Sequence, residues 1–325
     1  MAGKLPSYDD LIARKDAPSG SSWDVFGAGD DVGTVNLLTP DRVRRSAELV
    51  LTGKSFSLDY AINAFSPPTA PVRKNALHTI YGRQEYVRDD YIDSLYPQAG
   101  SQMDGLRHVA DPSVRFYGGA KPEDIQVGTK RLGVQRWAER GIVGRGVLLD
   151  VERYLAAQGA RLDHEAAVAF DVALLDRVAA SSNVSFEQGD ILLIHTGWSR
   201  HYLQELDEEG RAAFRGRGLR SCGLVQSRQT LEWLWDHHFA ALASDTSAFE
   251  AYPTSPNSPF DQSFFGGMMH PDLIALLGFC VGELWRLNEL AADCAADNVF
   301  ECMVISKPLN IVGGVGSPPN AMALK

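Results

Sequence analysis

Val147-Leu148-Leu149-Asp150-Val151 and Asp190-Ile191-Leu192-Leu193-Ile194 are two apolar runs of strand length, each with a single charged residue. Uninterrupted apolar runs, rather than an alternation of polar and apolar residues, suit strands buried on both faces of a sheet. The segment between them, His164 to Ala179, reads as an amphipathic helix, so the order is strand, helix, strand. The same order recurs downstream. Ser227 to His238 places Leu231, Leu234 and Trp235 on one helical face and feeds the apolar run Phe239-Ala240-Ala241-Leu242-Ala243. A helix from Pro271 to Leu277 and a strand from Glu301 to Ile305 follow. This alternation predicts an α/β fold with a largely buried sheet flanked by helices.

Upstream of these runs, Thr39 can cap a helix that has Pro40 at its first position and Gly53 just beyond its end. Ser55 to Ile62 alternates as a half-buried strand would, and the proline-rich stretch Phe65 to Pro71 then breaks regular structure. Leu77 to Tyr81 reads as a further strand. Its His78 either points into a pocket or is partly buried against backbone. Phe116-Tyr117-Gly118-Gly119 offers either a wall for a flat substrate or an ordinary turn. Strand ends carry the sites of α/β folds, which makes Asp245 a pocket candidate, with turn capping as the alternative. Tyr252 to Pro259, rich in proline and serine, reads as a lid or a subunit-contact loop.

The chemistry concentrates in Ser101-Gln102-Met103-Asp104-Gly105-Leu106-Arg107-His108. Asp104 and His108, a carboxylate and an imidazole four positions apart, could together hold a cation and move a proton. The glycine-rich Gly313-Gly314-Val315-Gly316 lacks the following Lys-Ser/Thr of a phosphate-cradling loop.

Composition narrows the function classes. The 325 residues are 45% hydrophobic, enough for a large core in one domain or a closely fused pair. A net charge of -10 with no dense basic block argues against a nucleic-acid surface. No run approaches the roughly 20 apolar residues of a membrane span, and Met1 to Pro6 lacks the apolar core of a signal peptide. A cytoplasmic protein without membrane partners is the expectation. Cys222, Cys280, Cys294 and Cys302 form no C-x-x-C pair and are expected to be reduced and buried.

Several stretches resemble a known family: Asp30-Asp31-Val32-Gly33-Thr34-Val35-Asn36-Leu37-Leu38-Thr39-Pro40, Gly189 to Trp198, Ser244-Asp245-Thr246, His270 with Gly282-Glu283-Leu284, and Gly313 to Asn320. These are similar to the cyclase family that includes bacterial kynurenine formamidases and isatin hydrolases. The likeness runs over residues 23–325 and leaves 1–22 as an N-terminal extension. It implies a swivelling β/β/α fold with a mixed central sheet, and assembly as a homodimer or homotetramer.

The family's metal motif, His-x-Gly-Thr-His-x-Asp-x-Pro-x-His, falls on Gln98 to His108. Asp104 then matches a metal-binding aspartate and His108 the proposed general base. Gln98 and Gln102 stand where the family has histidines, Ser101 replaces threonine and Leu106 replaces proline. His270 and Glu283 resemble ligands of a second site, so that Asp104, His270 and Glu283 would form a three-ligand set. A carboxamide oxygen is a poorer zinc ligand than imidazole and suits harder ions, which leaves a divalent metal ion (Mn, Mg or Zn) as the implied cofactor.

The resemblance thus implies a hydrolase that attacks a small amide, cyclic amide or ester with an activated water. In that reading His108 is the base, and Gln102 with Ser101 orients the substrate or the water. The alternatives are a metal-independent lyase, dehydratase or cyclase, or a catalytically silent binding protein for a small molecule.

Overall fold

In the computed structural model, residues 4–325 are described. They contain thirteen strands: β1 Ser55–Ser57, β2 Leu77–Gln84, β3 Val87–Asp93, β4 Gln102–Asp104, β5 Ile142–Asp150, β6 Ala169–Phe170, β7 Ile191–His195, β8 Gly223–Leu224, β9 Ala241–Ser244, β10 Val281–Glu283, β11 Glu301–Ser306, β12 Gly316–Ser317 and β13 Ala321–Leu324. Nine of them form one mixed sheet in the order β1-β13-β11-β5-β7-β9-β10-β4-β12. At its centre β5, β7, β9 and β10 run parallel, in chain order. The two apolar runs that open the sequence argument are β5 and β7. Val147, Leu148, Leu149 and Ile191 to Ile194 are all buried, because helices cover both faces of this part of the sheet.

The helices form where their caps allow. Thr39 accepts the Arg42 amide and Pro40 begins the helix, as the sequence predicts, but it ends at Ala47, well short of the expected stop at Gly53. Ser227 likewise caps Arg228–Asp236 through the Thr230 amide. The helix expected from His164 to Ala179 is shorter. Asp171 accepts the Leu174 amide and starts it at Val172, so the observed helix is Val172–Ser181 and residues 164–168 are irregular. The expected strand from Ser55 to Ile62 stops at Ser57, because Asp59 and Tyr60 bond to other partners: Asp59 accepts the Ala321 amide, and the Tyr60 amide donates to Ser101 Oγ.

The Asp30–Thr34 stretch ties a surface loop to the sheet. Asp30 accepts the Gly33 amide at 2.7 Å, and the Thr34 hydroxyl donates to the Ala240 carbonyl at 2.9 Å. Gly33 has φ +67, and a Cβ there would lie 2.1 Å from the Gly278 carbonyl oxygen, so only glycine fits. Before β4 the chain makes the hairpin β2–β3, which is separate from the main sheet and exposed along most of its length. Residues 8–13 form a short helix whose Tyr8 and Leu11 are buried in the main core. Among the described residues no helix is long and apolar enough to cross a membrane, and all four cysteines are buried and unpaired, as expected.

Candidate active site

Strand β4 lies between β10 and β12 and is antiparallel to both, with Gln102 opposite Glu283 and Asp104 opposite Val281. Side chains two apart on a strand share a face. Gln102, Asp104 and Glu283 therefore point into the same space. Glu283 is fixed by the residues that follow it, since the Leu284 amide donates to the Thr246 carbonyl and the Trp285 amide to the Ser244 carbonyl. After Asp104 the chain turns, with the His108 amide donating to Gly105 O, and this brings His108 Nε2 to 3.8 Å from Asp104 Oδ1.

His270 comes from a different element, just before the π-helical turn Pro271–Leu276. Its Nε2 lies 3.1 Å from Glu283 Oε1 and its Nδ1 2.6 Å from Glu250 Oε1. Glu250 is fully buried and also accepts the Met269 amide. Glu250 is absent from the sequence reading. Nothing in its neighbourhood, Ala248-Phe249-Glu250-Ala251, marks it, and only the fold shows that a charged residue sits buried beside His270. Burial works against a charged imidazole, but hydrogen bonds and charge from Glu250 and Glu283 outweigh it and hold the His270 pKa well above the ordinary value. Burial, with the nearby Asp104 charge, raises the Glu283 pKa despite the opposing pull of His270.

Asp104, His270 and Glu283 offer ligand atoms that all lie within 4.8 Å of one another, the set that the sequence reading brings together. Asp104 Oδ1 and Gln102 Oε1 are both buried acceptors without a hydrogen-bond donor. Two orphaned oxygens beside two further buried carboxylates leave an excess of negative charge that a cation would offset, so the residues present fit a divalent ion. The Gln102 amide nitrogen donates to Glu283 Oε2 and leaves its oxygen free toward that site.

A cavity of about 210 Å³ opens over this cluster, lined by Arg73, Asp104, His108, His270 and Glu283 together with the apolar Leu219, Phe265 and Met268 and by Tyr252. A dry cavity of about 150 Å³ holds a benzene ring, so this one has room for a ring bearing a carbonyl group. The Phe265 ring meets His108 edge-on with centroids 6.4 Å apart.

Other predicted positions have different roles. Ser101 is buried, accepts the Tyr60 amide and donates to the Leu284 carbonyl, so it clamps two segments and does not line the cavity. Asp245 is buried and accepts the Thr196 amide and hydroxyl and the Gly197 amide, which fixes the turn after β7. His78 lies on the exposed hairpin, paired with Asp90 at 2.7 Å. Tyr117 is buried with its hydroxyl on Asp30, so the aromatic wall is Phe265 and Tyr252 instead. The Gly313–Gly316 stretch closes the outer side of β4, where Gly105 N donates to Val315 O.

The sequence profile of the family described as Putative cyclase matches residues 55–251. This chain belongs to that family. A crystal structure described as a novel cyclase superposes with a TM-score of 0.80 at 30% identity, over 94% of this chain and 99% of that one. Isatin hydrolase A from Labrenzia aggregata, bound to benzyl benzoate, superposes with a TM-score of 0.59 at 16% identity, over 83% of this chain and 93% of that one. An isatin hydrolase bound to the product analogue thioisatinate gives 0.51 at 17% identity, over 84% and 92%. At these lower identities the likeness is one of fold: a large mixed sheet flanked by helices. No curated protein sequence matches this chain.

Behind the cyclase-family site runs a buried polar chain. Asn288 donates to the Tyr60 hydroxyl and accepts from His195 Nε2, each at 2.9 Å, and His195 Nδ1 reaches Asp150 Oδ1 at 2.9 Å. Both ring nitrogens of His195 thus face oxygen acceptors, which favours the protonated ring. Burial opposes this, but Asp150 and Asp245 raise its pKa to about 9.

Proposed function

We propose that this protein is a hydrolase of a small, ring-bearing amide, cyclic amide or ester, using a water activated in the β4–β10 cavity. The observation that carries the reading is the placement of His108 Nε2 3.8 Å from Asp104 Oδ1, a buried oxygen that has no hydrogen-bond donor. Asp104, Glu283, the Gln102 oxygen and His270, on release of its Nε2 proton, would hold a divalent ion, and such an ion would supply Lewis acidity toward a carbonyl oxygen and toward water. His108 takes a proton from the attacking water at Nε2, and the Asp104 carboxylate stabilises the imidazolium that results. Glu250 holds Nδ1 of His270 and so turns Nε2 toward the cavity. Phe265 and Met268 press the ring of the substrate and exclude bulk water, and Arg73 is placed to bind an acidic or carbonyl substituent.

The isatin hydrolase neighbours support this reading through the shared fold, and the cavity volume supports a small substrate. We also propose a cytoplasmic homodimer or homotetramer, for which sedimentation velocity is the measure. The functional test is turnover of a panel of amides, imides, lactones and esters by the purified protein, with and without added Mn(II), Mg(II) or Zn(II). Hydrolysis of at least one class is expected. No turnover of any, with every ion, overturns the proposal.

The donor set also sets an expectation for metal content. Because Gln98 and Gln102 replace histidines, gently purified protein should hold fewer than two zinc ions at this site. Elemental analysis of a His164→Ala/His201→Ala variant checks it, and two tightly held zinc ions there would contradict the assignment.

A further inference from the structure

A second and larger cleft, about 1060 Å³, lies at the C-terminal ends of β5 and β7, beyond the register pair Asp150 and His195. Five carboxylates and four guanidiniums line it, together with two histidines, His164 and His201. The arrangement around His201 differs from a solvated salt-bridge cluster. Its Nδ1 is held by Glu205 Oε2 at 2.8 Å, while its Nε2 is buried without a hydrogen-bond partner. A carboxylate on Nδ1 fixes that proton and leaves the Nε2 lone pair directed away, as in histidines prepared to bind metal. Glu165 Oε1 lies 3.7 Å from this nitrogen, and Glu165 is steadied by Arg217 on its other oxygen. The His164 ring sits 5.2 Å from that of His201, centroid to centroid, with its Nε2 3.9 Å from Glu152 Oε1.

We propose that this cleft binds a borderline transition-metal ion of the zinc(II) class through His201 Nε2, Glu165 Oε1 and His164, with solvent completing the shell. Two imidazoles and one carboxylate favour such an ion over magnesium or calcium. Among the described residues only Asp104, His270 and Glu283 already have three donors within 4.8 Å of one another. Binding in the cleft therefore draws the His164 ring inward by side-chain rotation. The ring is only partly exposed, 11%, yet borders open space in which to turn. The excess of one carboxylate over the guanidiniums also makes the cleft tolerant of a cation.

The test is titration of the metal-stripped, full-length protein with Zn(II) by calorimetry and with Co(II) by visible absorption. Wild type, His201→Ala, His164→Ala, Glu205→Gln and His108→Ala are compared, with thermal melts to show that each is folded. The proposal expects His201→Ala and His164→Ala each to lose one equivalent present in wild type. Glu205→Gln, which only loosens the orientation of His201, should keep that equivalent with about 10- to 100-fold weaker affinity. His108→Ala, which under the hydrolase reading lowers kcat about 100- to 10,000-fold, should retain it, so the two ideas fail separately. Titrations of His201→Ala that match wild type in stoichiometry and affinity overturn the site. Should the alanine variants melt early, the Glu205→Gln comparison decides: unchanged affinity overturns the proposal and a weakened equivalent sustains it.

Discussion

The two polar regions of this protein handle charge in opposite ways. Around β4 and β10 the carboxylates and His270 are buried: Glu250, Asp104, His270 and Glu283 are 0–5% exposed and are held by strand register, by the residues that follow Glu283 and by one another, with only His108 and Arg73 reaching toward solvent. At the ends of β5 and β7 the charges sit on long side chains from helical turns and loops, matched acid to base across an open cleft. The buried set can be strongly coupled to chemistry because low-dielectric surroundings magnify each interaction and no solvent relaxes it. Exposed pairs gain little, so ligand binding there depends on a few pre-oriented atoms such as His201 Nε2. Placement by the sheet, more than the identity of the residues, separates the buried cluster from the open cleft.

The sharpest way to break that contrast is at the base. His108→Ala should lower kcat by about 100- to 10,000-fold without unfolding the protein, whereas His78→Ala, on the exposed hairpin, should leave turnover unchanged. Steady-state kinetics with circular dichroism compares the two, and a His108→Ala enzyme with full activity would remove the residue from the reaction.

The wall between the two regions makes the next prediction. His195 has its pKa raised to about 9 from an ordinary value of 6.5. A raised histidine pKa stabilises the fold fully below the unfolded value and loses that stabilisation as pH climbs through the folded one. Denaturant unfolding should therefore show stability falling between about pH 6.5 and 9, by up to about 3 kcal/mol. The slope in that window should flatten in His195→Gln.

Two smaller effects test how the buried set is held. Glu250→Gln keeps the shape but weakens the hold on His270 Nδ1, and should cost about 10- to 100-fold in metal affinity or activity, read from kcat and from metal titration. Ser101→Ala removes a clamp that satisfies the Tyr60 amide and bonds to the Leu284 carbonyl. It should lower stability by about 1–2 kcal/mol with KM unchanged, and a raised KM would return Ser101 to the cavity.

Much of this was legible in the chain. The apolar runs at β5 and β7 announce buried parallel strands because nothing else tolerates such sequences. Thr39-Pro40 and Ser227 announce helix starts because capping is local chemistry. Asp104 and His108 stood out by their spacing and, like His270 and Glu283, were singled out through resemblance; the fold brings all four to one cavity. Glu250 was not legible, since its importance comes from 20 residues of intervening chain folding it against His270. The same holds for the second cleft, where His164 and His201 are 37 positions apart and the segment expected to place His164 on a helix is irregular. Of the two readings of Phe116-Tyr117, a substrate wall or an ordinary turn, the fold takes the turn, with Tyr117 facing inward to Asp30.

Strand β4 is only three residues long, yet its backbone is paired on both edges, to β10 and to β12. Its backbone pairing does not depend on which side chains stand at 102 and 104, although Gln102 adds a side-chain bond to Glu283. Glutamine can occupy a place that resembles a histidine's elsewhere in the family, and the strand still delivers its neighbour Asp104 to the same spot. A short segment gripped from both sides behaves as an interchangeable cartridge: the residues it presents at 102 and 104 can be exchanged while the surrounding sheet remains the same.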